Sequence, residues 1–72
     1  MQLKPYQEIV GNLTDVITND EITKAIFSMM LEIEIPNEKI DNVKLRKYIG
    51  DKIGILNNEG KIMIRKITIK NP

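Results

Sequence analysis

With neither a cysteine nor a histidine in the chain, its 72 residues must hold together without disulfide, thiolate-metal or imidazole-metal staples. Disulfides and thiolate or imidazole metal sites are excluded, and so is the commonest general base. A chain of this length buries only about 60% of its extended surface, so its core is small and a partner subunit would add to its stability. Isoleucine supplies most of that core. Fourteen Ile stand against five Leu and three Val, and Tyr6, Phe27 and Tyr48 are the only aromatic residues. A composition of 42% hydrophobic and 29% charged residues is that of a folded domain and not of a disordered tail.

The spacing of the apolar residues predicts helices in the first half. Pro5 suits a first helical position, and Tyr6, Ile9, Val10, Leu13, Val16 and Ile17 recur at steps of three and four along one stripe. Gly11 falls inside that stripe at a cost of about 1 kcal/mol against alanine, either as a tolerated weak spot or as a point where another part of the chain comes close. Thr18-Asn19-Asp20-Glu21 has the spacing of a capping box and predicts the start of a second helix. Its stripe of Ile22, Ala25, Ile26, Met29 and Met30 is joined by Phe27 and Leu31 on a neighbouring face. That is wider than a one-sided surface helix requires, which places the helix centrally or at a dimer contact with Phe27, Met30 and Leu31 as apolar anchors.

The period then shortens. Leu31, Ile33 and Ile35 alternate with Glu32 and Glu34 until Pro36, which fits a short strand or a continuation of the helix, five residues being too few to separate the two. Residues 36–40 read as a connector. Asp41 or Asn42 caps a short third helix reaching Ile49, with Leu45, Tyr48 and Ile49 inward and Gly50 as its left-handed terminator. Ile53 and Ile55, the turn Asn57-Asn58-Glu59-Gly60 and the β-branched, basic run over 61–69 predict a C-terminal β-hairpin. Ile62 and Ile64 differ in parity from Ile67 and Ile69, so a bulge is expected at Arg65-Lys66. The expected fold is a single α+β domain over 1–72: two N-terminal amphipathic helices, a short strand or helix tail, a third short helix and the hairpin.

Charge divides the chain as sharply as hydrophobicity does. Residues 1–36 carry Glu8, Asp15, Asp20, Glu21, Glu32 and Glu34 against Lys4 and Lys24, whereas residues 37–72 carry nine bases against four acids, giving halves of −4 and +5 and a net charge of +1. Such a split is the footprint of a polyanion-binding face, or of an acidic surface that docks a basic one. Lys44, Arg46 and Lys47 lie on the expected third helix, and Lys61, Arg65 and Lys66 on the last strand. A helix followed by a basic hairpin resembles the winged-helix arrangement. That resemblance implies a helix set into the major groove and a wing at the phosphates, and so a DNA-binding accessory or regulatory protein. Asn42 would add an amide for an adenine edge.

Residues 45–67 also resemble the start of a small barrel of the Sm or OB type. Two strands after Gly50, or three with residues 31–35, are too few to close one. The rival to nucleic acid is a protein-interaction module: a homodimer, or a domain whose basic face takes an acidic protein. The plainest alternative is that the lysines only solvate exposed faces and blunt a sheet edge.

Signs of catalysis are missing. The close carboxylate pairs, Glu32 with Glu34 and Asp20 with Glu21, are explained by solvation and capping, and Gly11, Gly50, Gly54 and Gly60 are too dispersed for a phosphate loop. No enzyme activity, cofactor, metal or small-molecule substrate is expected. Neither a signal peptide nor a run of roughly 20 apolar residues is found, so a complete, cytoplasmic protein away from the membrane is expected.

Overall fold

β-Branched residues override the helical spacing. The computed structural model, which describes residues 1–68, places a long strand β1 at Glu8–Thr18, where Ile9, Val10, Thr14, Val16, Ile17 and Thr18 favour extended backbone. Its inward side chains are those of Ile9, Leu13 and Val16. The step from Leu13 to Val16 is three residues because a bulge at Thr14 shifts the register against the next strand. Val10 and Ile17 point outward and are 38% and 51% exposed. Two apolar faces interleaved across a bulge thus reproduce the three- and four-residue steps of a helix.

The expected second helix is also a strand, β2, at Ile22–Phe27, with Thr23, Ala25 and Phe27 buried. The supposed capping box closes the β1–β2 hairpin: the Asn19 carboxamide oxygen accepts from the Glu21 and Ile22 N–H groups at 2.9 and 2.8 Å. A side-chain oxygen that satisfies two backbone donors serves a turn as well as a helix start. After a turn with Met30 at φ 61°, strand β3 runs at Glu32–Pro36, so the alternation over 31–35 is a strand and not a helix tail.

A 3-10 turn at Asn37–Lys39 leads to α1 at Asn42–Arg46, capped by Asp41 through the N–H groups of Val43 and Lys44. Leu45 is its buried residue, Tyr48 beyond it packs on the core, and Gly50 takes φ 96°, as expected. Ile49 is 41% exposed and not inward. The hairpin of β4 at Lys52–Asn58 and β5 at Lys61–Lys66 also forms, with Glu59 and Gly60 at φ 53° and 85°. Two positive φ values in a two-residue loop match the right-handed twist of the strands. The register of β5 on β4 is regular from Lys61 to Lys66, so there is no bulge at Arg65-Lys66; Ile69 lies outside the described residues.

The strands form one antiparallel sheet in the order β3-β2-β1-β4-β5. β1 is shared: Leu13 to Thr18 pair with β2, and Glu8 to Asn12 pair with β4. Ile33 and Ile35 of one edge strand and Ile62 and Ile64 of the other join a single core, so the sheet curls round on itself. Leu45 enters the same core from α1. Leu3 does so from the N-terminal segment, which is tied to both sides of the seam. There Glu34 N–H donates to the Met1 carbonyl at 2.8 Å, and the Asn57 amide to the Leu3 carbonyl at 2.9 Å.

This architecture corrects the expected α+β fold. The structure is mostly a five-stranded antiparallel sheet with one short helix, there are no N-terminal helices, and the winged-helix arrangement is absent. The strand count that set the small-barrel resemblance aside is overturned as well, since five strands and not two or three are present.

Thr23, a fully buried polar residue, anchors the end of the meander. Its hydroxyl donates to the Asn37 side-chain oxygen at 2.7 Å, and the Asn37 amide donates to the Asn19 carbonyl at 2.7 Å. Thr23→Val therefore leaves the Asn37 oxygen without its buried donor at a cost of about 1–2 kcal/mol, a fall in Tm of about 4–8 °C per kcal/mol, while Thr23→Ser keeps the bond. Gly11 is a point of close approach, because an added Cβ would lie 3.2 Å from the Phe27 ring and 3.3 Å from Met29 Cε. Gly11→Val overpacks that contact and is expected to cost about 1–3 kcal/mol in urea unfolding.

Candidate interaction surfaces

The charge split along the sequence becomes a split across the sheet. On the outward face of β1, β2 and β3, cross-strand register aligns Asp15 with Ile26 and Glu32, and Ile17 with Lys24 and Glu34. Ile22 follows on β2, diagonal to Ile17. Three carboxylates against the Lys24 ammonium and the Met1 terminal ammonium, which lies 3.3 Å from Glu34, give this face −1, and Asp20 and Glu21 in the adjoining turn add to its acidity. An open depression of about 500 Å³ beside it is lined by Thr14, Ile26, Met30 and Glu32.

The outward face of β4 and β5 has the opposite sign. Lys52, Lys61 and Arg65 stand with apolar Leu56 and Met63, and Glu8 of β1 is the acid among them. Gly54 leaves room for Arg65 to cross β4, with its Nε 3.3 Å from Glu8 Oε2. Beside this pair an open depression of about 390 Å³ is lined by Leu56, Met63 and Ile64. Met63 is 48% exposed.

The six bases expected at phosphates do not form one free surface. Arg46 donates to the Val16 carbonyl at 2.9 Å and the Thr18 hydroxyl at 3.2 Å, clamping α1 to the end of β1. Arg65 is held by Glu8, and Lys66 lies 3.8 Å from Asp51. Lys44 on α1 and Lys47 just after it are exposed, and Lys61 is exposed on β5. Helix α1 spans five residues and has no partner helix, so the scaffold behind the DNA-binding expectation is missing.

The expected apolar anchors also separate. Phe27 is 1% exposed and belongs to the core, Leu31 packs against that core from the turn, and Met30 is 95% exposed at the turn's tip. Their spacing on an imagined helix could not show this. Ile17, Ile22 and Ile26 lie on the helical stripes of the sequence, and only the strand register reveals that they share the outer face. Lys24, which alternates with Ile22 and Ile26, is the one signal in the sequence that this side of the segment faces outward.

The aromatic rings do not form a stacking platform on either outward face. Phe27 is in the core, Tyr48 packs against it, and the Tyr6 hydroxyl donates to Glu59 at the β4–β5 turn. That hydrogen bond, with desolvation adding less, holds the Tyr6 hydroxyl above its ordinary value of 10.0. No group of three or more potential metal ligands occurs among the described residues, and no helix among them is long and apolar enough to cross a membrane. The seam between β3 and β5 holds a cavity of about 150 Å³, half the lower bound of about 300 Å³ for ligand pockets. Comparison with protein-family models, with curated proteins and with solved structures returned no match.

Arg46→Met is expected to cost about 1–2 kcal/mol, because the Val16 carbonyl loses a charged donor, whereas Lys44→Gln and Lys47→Gln stay within about 0.5 kcal/mol; thermal unfolding of the three variants checks this. The raised Tyr6 value means that its bond to Glu59 favours the fold below pH 10 and is lost as pH rises through the folded value. In a Tyr48→Phe background, absorbance titration should place the tyrosinate midpoint above 10.0, and Glu59→Gln should bring it down.

Proposed function

We propose that the chain is a non-enzymatic protein-interaction domain which uses the outward face of β1, β2 and β3 to bind a partner surface that is both basic and apolar. The observation that carries this reading is the grouping of Ile17, Ile22 and Ile26 on one outer face with Asp15, Glu32 and Glu34 at its margins. Apolar side chains in the middle of a patch supply affinity, and charges at its rim supply steering and selectivity. A polyanion is a poor occupant here, since the carboxylates repel phosphate and no ring is placed for base stacking. On the outward face of β4 and β5 Arg65 is already neutralised by Glu8.

A synthetic peptide alternating lysine and valine serves as a probe of that chemistry. Titrated into labelled protein and followed by amide chemical shifts, it should perturb Ile17, Ile22, Lys24 and Ile26 and weaken with added salt. The double charge reversal Asp15→Lys/Glu32→Lys should lower its affinity about tenfold, which corresponds to 1.4 kcal/mol. Shifts confined to α1 and β5, or salt-sensitive binding of duplex or single-stranded oligonucleotides in place of the peptide, would overturn the reading.

A further inference from the structure

The two outward faces complement each other in sign and in apolar content, which bears on what the partner is. Resting on the reading just given, we infer that one partner of the acidic face is the basic β4–β5 face of a second copy of the same chain, so that molecules associate head to tail. The acidic face offers Ile17 and Ile26 with Glu32; the basic face offers Leu56 and Met63 with Lys61. Each faces an open depression in the sheet surface, beside Ile26 on one and beside Met63 on the other. Glu32 and Lys61 have no ion-pair partner among the described residues, so both charges remain open to an intermolecular contact.

Like faces repel. Two acidic faces, or two basic ones, would bring net charges of the same sign together, which disfavours an isologous pairing through either face against a head-to-tail one. A heterologous contact leaves one acidic and one basic face unused at the ends of every dimer, so association continues into longer species unless the rotation between copies closes a ring. A net charge of +1 gives little overall repulsion to oppose this. Attraction between exposed charges is screened beyond about 8 Å at physiological salt, so the association weakens as salt is raised.

Sedimentation velocity on two complementary variants tests the contact. Ile17→Lys/Glu32→Lys removes the acidic face and keeps the basic one; Lys61→Glu/Met63→Glu does the reverse. All four positions are exposed, so both variants should fold, and retention of the wild-type far-UV spectrum and Tm verifies this. Wild type should show a mean mass that rises with concentration at about 50 mM salt and falls towards monomer at about 500 mM. Each variant alone should be monomeric. Their mixture should form a dimer at a one-to-one ratio and nothing larger, because each supplies the one face the other lacks.

Replacing the second variant by Lys44→Glu/Lys47→Glu, which reverses charge on α1, controls for overall attraction. In that mixture the second protein has both faces intact, so assembly should extend beyond a dimer, but to shorter species than wild type because the first variant caps one end of each assembly. A wild type that stays monomeric at every concentration, a variant that associates alone, or a complementary mixture that stays monomeric would each overturn the inference. If wild type is monomeric while the lysine–valine peptide still maps to Ile17 and Ile26, only self-association falls and the interaction reading stands. If the peptide also fails to bind, that reading falls too.

Discussion

Everything in this domain depends on β1 pairing along both of its edges with different strands at different heights. Its first half completes a three-stranded unit with β4 and β5, and its second half a meander with β2 and β3. The bulge at Thr14 comes just after Leu13, where one set of partners has given way to the other and where the Leu13 N–H donates to the Asp51 carbonyl and the Gly50 N–H to the Leu13 carbonyl. A bulge bends its strand and increases local twist, which lets a five-stranded sheet close over one small core. The remaining elements fill what the curl leaves open: Leu45 enters from α1, Leu3 occupies the seam, and Arg46 ties the helix to the strand it covers.

The same bulge explains why half the fold was hidden in the sequence. A strand with one buried face reads as strict alternation, but β1 carries apolar side chains on both faces and changes parity at Thr14. The result looks helical, and only the density of β-branched residues argued otherwise. Thr18 to Glu21 misled for a related reason, since asparagine closes a turn with the hydrogen bonds that threonine would use to start a helix. Where chemistry allowed one reading the sequence was legible, as with Gly50 at positive φ and a turn ending in Glu59-Gly60 between two strands; the choice of Asp41 over Asn42 as cap and of strand over helix at 31–35 needed the structure.

Site residues suffered from the same loss of register. Charge sign by segment was readable at once and survives as opposite signs on two faces of the sheet. Which side chain stands beside which was not readable, because that depends on pairing between distant strands. Arg65 meets Glu8 across β4 only because Gly54 lies between them, and Arg46 is spent on a backbone carbonyl thirty residues earlier in the chain. Bases that looked available for phosphate thereby became structural, while isoleucines that looked like core became the middle of an exposed face.

The measurement that reaches furthest into this account is a set of NMR distance contacts along β1. Shared pairing predicts cross-strand contacts from Val16 to Ala25 and from Val10 to Gly54 in the same molecule, with the partner strand changing between Asn12 and Leu13. Sequential contacts between residues three apart from Tyr6 to Ile17, with no cross-strand contacts, would mean that the helical spacing had prevailed. The curled sheet and the surfaces built on it would then be wrong.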